Sequence, residues 1–260
     1  MKYTHPSVEA DAKWRESILK NGENPKALAA LIDHTLLKMD ATSEQFVKAY
    51  REAIQCQFRA VCIPGSAIEL IYNRDDANKA LAGDSPFICT VVGFPQGNSS
   101  SQAKVQETSS ALQLGANEFD YVQNIGWVRD GQWEKLTNQA KDVVCAAQGH
   151  VVKVILETSL LNEQEIYNSA LAAARGGVHV LKTSTGFGSR GASTDDLKVL
   201  GQVVAEFEKS TGLRLGIKAS GGIRTAADAL TMIRFGATRL GTSAGVGIVN
   251  GLSNSANENY

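Results

Sequence analysis

Eight short apolar runs, each rich in β-branched residues and separated by segments with helical patterning, constrain the fold of this chain more than any other feature. They are ALIDHTLL, FRAVCI, FICTVVGF, NEFDYVQN, VVKVILE, VHVLKTST, LRLGIKAS and TRLGTSA. One residue near the end of each (Asp33, Cys62, Thr90, Asp120, Ile155, Lys182, Lys218 and Gly241) marks intervals of 23 to 36 residues, about one βα unit apiece. The runs are mostly apolar rather than strictly alternating, which predicts parallel strands covered by helices. Eight such units in 260 residues suit one closed barrel. An open doubly wound sheet is the alternative, but its usual Gly-rich turn after the first strand is missing. The expected class is α/β, a single (β/α)8 TIM barrel.

The connections support the same architecture. Helix-start signals follow one strand after another: Thr42 with Gln45, Ser66 with Glu69, Ser99 with Gln102, Asn162 with Glu165 and Thr225 with Asp228. An oxygen-bearing side chain three residues ahead of an acid or amide can satisfy the N–H groups that a first helical turn leaves orphaned. Leu197, Leu200, Val204 and Phe207 form one apolar stripe, and Trp133, Leu136, Ala140 and Val143 another. Residues 1–27 read as a short N-terminal helical extension with Trp14 and Ile18 on one face, residues 28–252 as the barrel, and residues 253–260 as a flexible polar tail. No linker or composition shift divides the chain, so one domain is expected.

Lys plus Arg number 26 against 27 Asp plus Glu, a net charge of −1, which gives no electrostatic reason to expect nucleic acid or an anionic membrane as partner. Any anionic substrate must then be held by local groups. No run approaches the ~20 apolar residues that span a bilayer. The segment MKYTHPSVEADAKWRE is charged and lacks the apolar core of a leader, so a cytoplasmic protein is expected. The cysteines Cys56, Cys62, Cys89 and Cys145 show neither CxxC nor histidine-spaced metal patterning. Cys62 and Cys89 lie in apolar runs, where a thiol behaves as a small hydrophobe.

In a barrel of this kind functional side chains project from the C-terminal strand ends. Four polar residues close an apolar run there: Asp33, Asp120, Lys182 and Lys218. Side chains alternate along a strand, so Val180, Lys182 and Ser184 share one face, as do Gly216, Lys218 and Ser220. If both faces point inward, two ammonium groups meet at one barrel mouth. At an effective dielectric of ~20, two positive charges ~4 Å apart repel by about 4 kcal/mol. That is roughly 3 pK units, enough to bring one lysine towards 7–8 and supply the neutral amine that carbonyl attack requires. Either lysine alone reads as a solvated or acid-paired strand end; the pair on neighbouring strands reads as chemistry. Which of the two attacks is not decided by spacing. Lys153 falls early in its strand, lower in the barrel, and is expected to pair with an inward acid. Asp120 is placed to shuttle protons, to pair with a lysine, or both. Asp33 either contacts a substrate hydroxyl, orients Thr35, or forms an internal ion pair.

Glycine-rich turns follow the last three strands: T-S-T-G-F-G (183–188), Gly221-Gly222 and G-T-S-A-G (241–245). Together they predict a phosphate cradle of backbone N–H groups, with Arg190 and Arg224 near it. His5, His34, His150 and His179 are isolated and read as structural, and no carboxylate–histidine cluster points to Zn²⁺ or Mg²⁺. No Walker motif appears, and the reading that remains is a lysine-based mechanism without a metal.

The stretches LIDHTLLKMDAT, VCIP, VVGFPQG, GANEFDYVQNIG, KVILETSLL, LKTSTGFG, IKASGGIRT and FGATRLGTSAG resemble the deoxyribose-phosphate aldolase family from about residue 28 to residue 247. The resemblance implies a (β/α)8 lyase that needs no cofactor, acts on phosphosugar and aldehyde substrates, and forms homodimers in common with other members. It also implies roles for matching residues. Lys182 would form the Schiff base with acetaldehyde, Lys218 would be the charged neighbour lowering its pKa, and Asp120 would relay protons. Gly186, Gly221, Gly222 and Ser243 would hold the phosphate of glyceraldehyde 3-phosphate. Some members end in a tyrosine, which implies that the tail could fold over the mouth and offer the Tyr260 phenol; a disordered terminus is the default for such a segment.

The chain departs from the family pattern at Pro64, which comes one position early, at Met39, at Tyr121, Gln123 and Trp127, and at Arg190 in FGSRGAS. These departures bear on substrate range. The rival readings are another phosphosugar barrel enzyme and a non-catalytic phosphate-binding barrel; the first would show a Glu/His or Asp/Asp acid–base pair, and the second would not need intact lysines.

Overall fold

In the computed structural model, which describes residues 4–21, 24–72 and 85–251, the eight apolar runs form eight parallel strands. These are β1 (Ile32–Thr35), β2 (Ala60–Ile63), β3 (Phe87–Val92), β4 (Glu118–Val122), β5 (Val151–Ile155), β6 (Val180–Lys182), β7 (Gly216–Ser220) and β8 (Arg239–Thr242). They pair in sequence order, and β8 returns to β1 through Asp33 opposite Gly241, which closes the barrel. The helices are α1 (Pro6–Lys20), α2 (Ser43–Gln55), α3 (Ile68–Tyr72), α4 (Ser101–Gln113), α5 (Ile125–Arg129), α6 (Trp133–Ala146), α7 (Glu163–Arg175), α8 (Thr194–Thr211), α9 (Ala226–Arg234) and α10 (Gly245–Val249). None among the described residues is long and apolar enough to cross a membrane.

Alternation along the strands divides the core into two layers. Outward side chains such as Val61, Phe119, Val154, Leu181, Ile217 and Leu240 join the main apolar cluster beneath the helices. Leu197, Leu200 and Phe207 of α8 and Ala140 and Val143 of α6 are buried in it, as their spacing predicts, while Leu136 is buried in a smaller cluster with Val128 and Ala172. Burying one such large side chain stabilises the fold by about 1.5–3 kcal/mol. Inward positions are different: apolar contacts there form two small groups, one around Ala60, Cys62, Cys89 and Val91 and one of Val151 and Val180, and much of the remaining space is charged.

Reciprocal capping boxes form at Thr42–Gln45, Asn162–Glu165 and Thr225–Asp228, with a further one at Ser193–Asp196. The other two expected starts are displaced. Ser100, not Ser99, caps α4 through Ala103 N–H, and Ser66 lies inside a 3-10 turn (Gly65–Ala67) that begins at Pro64. The early proline explains the second case, since its fixed φ starts the turn before Ser66 can act as a cap.

The N-terminal extension does more than precede the barrel. Val8 of α1 packs on Val151 and Val180, the first residues of β5 and β6, so α1 lies across the N-terminal end of the strands. Ile18 is buried, but Trp14 is 49% exposed, contrary to the expected shared face. The residue that replaces Trp14 on the buried face is an acid, Asp11.

Candidate active site

Lys182 is the last residue of β6 and Lys218 the centre of β7, and the two are direct register partners. Both side chains point into the barrel. Each Nζ lies 2.8 Å from the same oxygen, Oδ2 of Asp120 on β4, which keeps the two nitrogens within twice that distance of each other. Asp120 Oδ1 accepts from Lys153 Nζ at 2.8 Å and from the Cys89 thiol at 3.2 Å. Lys153 is the central residue of β5 rather than an early one; it sits one layer below Lys182 and level with Asp120 in the sheet register. It also reaches Glu118 Oε2 at 2.5 Å, so the expected inward acid is in fact two acids.

The cluster continues downward. Asp33 of β1 accepts from Lys218 through Oδ2 and from Arg239 Nη1 through Oδ1 at 2.8 Å. Arg239, the first residue of β8, also binds Glu118 Oε2 at 3.0 Å and Asp11 Oδ2 at 2.6 Å. Four cations (Lys153, Lys182, Lys218, Arg239) thus interleave with four carboxylates (Asp11, Asp33, Glu118, Asp120), each side chain almost wholly buried. Gly241 leaves room beside them: a Cβ there would sit 3.0 Å from Lys218 Cε and Ser220 Cβ, a tight contact.

This arrangement corrects the electrostatic expectation. Repulsion between two lysines alone would depress one of them. Burial does act to lower Lys218, but Asp120 and Asp33 outweigh it and hold Lys218 above the ordinary lysine range. Lys153 and Arg239 are likewise held up by their carboxylates against burial. Burial acts to raise Asp120, yet Lys153, Lys182 and Lys218 hold it well below the ordinary carboxylate range. The lysines differ in anchoring: Lys218 has two carboxylate partners, whereas Lys182 has one and is the member that keeps slight solvent access, at 2%.

Cys62 and Cys89 were expected to behave as plain apolar side chains. They are register partners on β2 and β3, and Cys89 touches both Asp120 and Lys153. Burial pushes the Cys89 thiol up, while a hydrogen bond with Cys89 draws Cys62 down. Donor atoms of Cys62, Cys89 and Asp120 lie within 4.8 Å of one another, but a metal cation there would face three ammonium groups on the same carboxylate.

Above the cluster, a cleft of about 480 Å³ is lined by Gly186, Gly221, Gly222, Ser243, Arg190 and Arg224, which the loops after β6, β7 and β8 bring together. Asp33 is not on its wall. The added arginine, Arg190, is clamped by Asp196 at 2.6 and 2.9 Å and donates to Thr158 O, so it staples this loop to the start of α8. Glu157, in a left-handed conformation at φ 52, accepts from Thr185 N–H at 3.1 Å and from the Thr185 hydroxyl. Gly191 approaches so closely that a Cβ would fall 2.1 Å from Gly221 O. Sequence reasoning passed over Arg239, Glu118, Asp11, Glu157 and Asp196. Strand parity would have placed Glu118 beside Asp120 and Arg239 beside Gly241, and the spacing of Ser193 and Asp196 marks a capping box; for Asp11 there is no such signal.

The other departures from the family pattern lie away from the charges. Met39 is exposed, Tyr121 is turned outward into the buried core, and Gln123 bonds Leu156 O and Ser169. Tyr260 lies outside the described residues.

A closed (β/α)8 barrel with a lysine–carboxylate cluster at its mouth and a glycine-rich cleft beside it defines a barrel enzyme of carbonyl chemistry. Residues 27–254 match the family described as DeoC/LacD family aldolase. A deoxyribose-phosphate aldolase of Staphylococcus epidermidis is 43% identical over 224 residues, 86% of this chain and 96% of the relative. That of Mannheimia succiniciproducens is 40% identical over 233 residues, 90% and 98% of the two chains. Among solved structures, the deoxyribose phosphate aldolase of Aeropyrum pernix, described as tetrameric, superposes with a TM-score of 0.77 at 29% identity, covering 92% of this chain and 96% of that one. The chain belongs to the DeoC/LacD aldolase family, and it is a lyase.

Proposed function

We propose that this chain cleaves 2-deoxy-D-ribose 5-phosphate reversibly to acetaldehyde and D-glyceraldehyde 3-phosphate, with Lys182 as the Schiff-base lysine. The observation that carries the assignment is the unequal anchoring of two register-paired lysines on one carboxylate oxygen. Lys218, held by Asp33 and Asp120, stays protonated and serves as the fixed positive neighbour. Lys182, held by Asp120 alone and the lysine of the cluster that keeps solvent access, is the amine assigned to attack.

In the cleavage direction, Lys182 Nζ adds to C1 of the open-chain sugar, and the carbinolamine loses water to give an iminium. The C3 hydroxyl then releases its proton and the C2–C3 bond breaks, its electron pair passing into the iminium as an enamine. Glyceraldehyde 3-phosphate departs, C2 is protonated, and water releases acetaldehyde. Asp120, in contact with both lysines, relays protons in the carbinolamine and enamine steps. The phosphate lies in the cleft of Gly186, Gly221, Gly222 and Ser243, where backbone N–H groups meet it and Arg224 adds positive charge. Lys104, lowered by burial to about 7, is a chemical rival for the attacking amine, but its nitrogen is already bonded to Gly97 O, Val122 O and Gln139 Oε1. The family resemblance also supports a homodimer as the working assembly.

Incubation with acetaldehyde followed by borohydride reduction tests the assignment. An ethyl group on Lys182, lost in Lys182→Met, is the expected result. No adduct would favour a non-catalytic barrel, and an adduct on Lys218 would exchange the two lysines' roles.

A further inference from the structure

The geometry points to Asp11, on the N-terminal helix α1, as a positioning residue for the lysine cluster, acting through Arg239 and Asp33. This rests on the catalytic reading above and extends it to a part of the chain outside the family match, which begins at residue 27, whereas α1 ends at Lys20.

Asp11 is 1% exposed, although it lies on a helix that precedes the barrel. Its Oδ2 accepts from Arg239 Nε at 3.0 Å and from Nη2 at 2.6 Å, occupying one edge of the guanidinium. What remains for the barrel interior is chiefly Nη1, which donates to Asp33 Oδ1 at 2.8 Å and to Glu118 Oε2 at 3.0 Å. Asp33 therefore presents its other oxygen, Oδ2, to Lys218. Lys218 in turn shares Asp120 Oδ2 with Lys182, each at 2.8 Å. An alternating series runs from floor to mouth: Asp11, Arg239, Asp33, Lys218, Asp120, Lys182.

Without the Asp11 charge, the guanidinium is free to turn its Nε–Nη2 edge towards Asp33 and Glu118, the bidentate geometry it favours. Asp33 is then drawn off Lys218, which competes with Lys182 for Asp120. The interior also becomes one unit more positive. Groups that face this series are Arg59, at 3.1 Å from Asp11 Oδ1, Lys153 from β5, His179 at the foot of β6, and the thiols of Cys62 and Cys89. Glu118 is the other carboxylate at the guanidinium, on Nη1 and Nη2, and it is already bonded to Lys153, so none of these groups takes the place of Asp11 at Nε.

The test compares Asp11→Asn, Asp11→Glu and Val8→Ala with wild type in the full chain, reading kcat, KM, melting temperature and the pH profile of borohydride-trapped acetaldehyde on Lys182. Asp11→Asn is expected to lower kcat about tenfold with KM within about twofold, as misplacement of a reacting group does. The acidic limb of trapping should move to lower pH, because excess positive charge disfavours ammonium forms. Asp11→Glu, which keeps the charge, should recover most of kcat. Val8→Ala loosens the same helix on Val151 and Val180 and should lower the melting temperature alone. If Asp11→Asn does not fold, Asp11→Ser, which leaves room for water at the guanidinium, takes its place. An unchanged kcat and pH profile in the neutral variant, or an equal loss in Val8→Ala, overturns the inference while leaving the aldolase reading intact. Failure of the wild type to form any adduct overturns both.

Discussion

Asp120 carries more ionic contacts than its position in EFDYV announces: three lysines and a thiol meet on its two oxygens. A carboxylate so surrounded stays ionised to well below its ordinary range and is a weak base until a neighbouring lysine gives up its charge. Lys153 is the member of this set that faces away from the mouth, and it bridges Asp120 to Glu118. Lys153→Met should therefore leave two buried carboxylates short of a partner and destabilise the fold by about 3–5 kcal/mol, the usual cost of breaking a buried pair from one side. Denaturant unfolding measures this, and a loss under ~1 kcal/mol would show that water replaces the ammonium there. The sequence pointed correctly to an inward acid for Lys153, but not to its sharing the acid that both mouth lysines use.

At the level of elements, the loops after β6 and β7 behave as one unit. Gly191 lies against Gly221 at a distance no side chain permits, Arg190 fastens the first loop to α8, and Glu157 holds Thr185 from the end of β5. Gly191→Ala should separate the two loops and open the cleft. We expect KM for the phosphorylated sugar to rise about tenfold, with trapping of unphosphorylated acetaldehyde on Lys182 unchanged. A parallel fall in trapping would mean that the displacement reaches the strand ends. That the glycine-rich turns lie together after β6, β7 and β8 was legible in the sequence. The contact between them was not, because it joins residues thirty positions apart through backbone atoms and leaves no side-chain pattern.

For the whole molecule, acid sensitivity should come in two stages. His179 sits below β6 with Nδ1 accepting Val152 N–H at 3.0 Å, and burial, aided by His5 and Lys153, lowers it to about 4 from the usual 6.5. Since the unfolded chain takes up this proton first, the stabilisation is present above pH 6.5 and is lost as the pH falls through about 4. The full loss is on the order of 3 kcal/mol. Asp33 and Asp120, depressed by the cations around them, withdraw their contribution only at still lower pH. Thermal melts between pH 7 and 5 should show the first stage in wild type, and His179→Gln should flatten it. An unchanged slope in the variant would assign the effect elsewhere.

The sequence by itself determined the eight-unit barrel, the inward pair Lys182 and Lys218, Asp120, and the glycine loops above them. Each of these is written in local spacing: strand period, helix caps and small residues at turns. Tertiary structure decided the rest. It anchored the two lysines unequally, Lys218 on two carboxylates and Lys182 on one, since Asp33 comes from the far end of the chain. It also placed an acid from α1 beneath the barrel, where Asp11 meets Arg239 across 228 residues. Charge balance in a closed interior depends on every strand at once, so no window of sequence contains it.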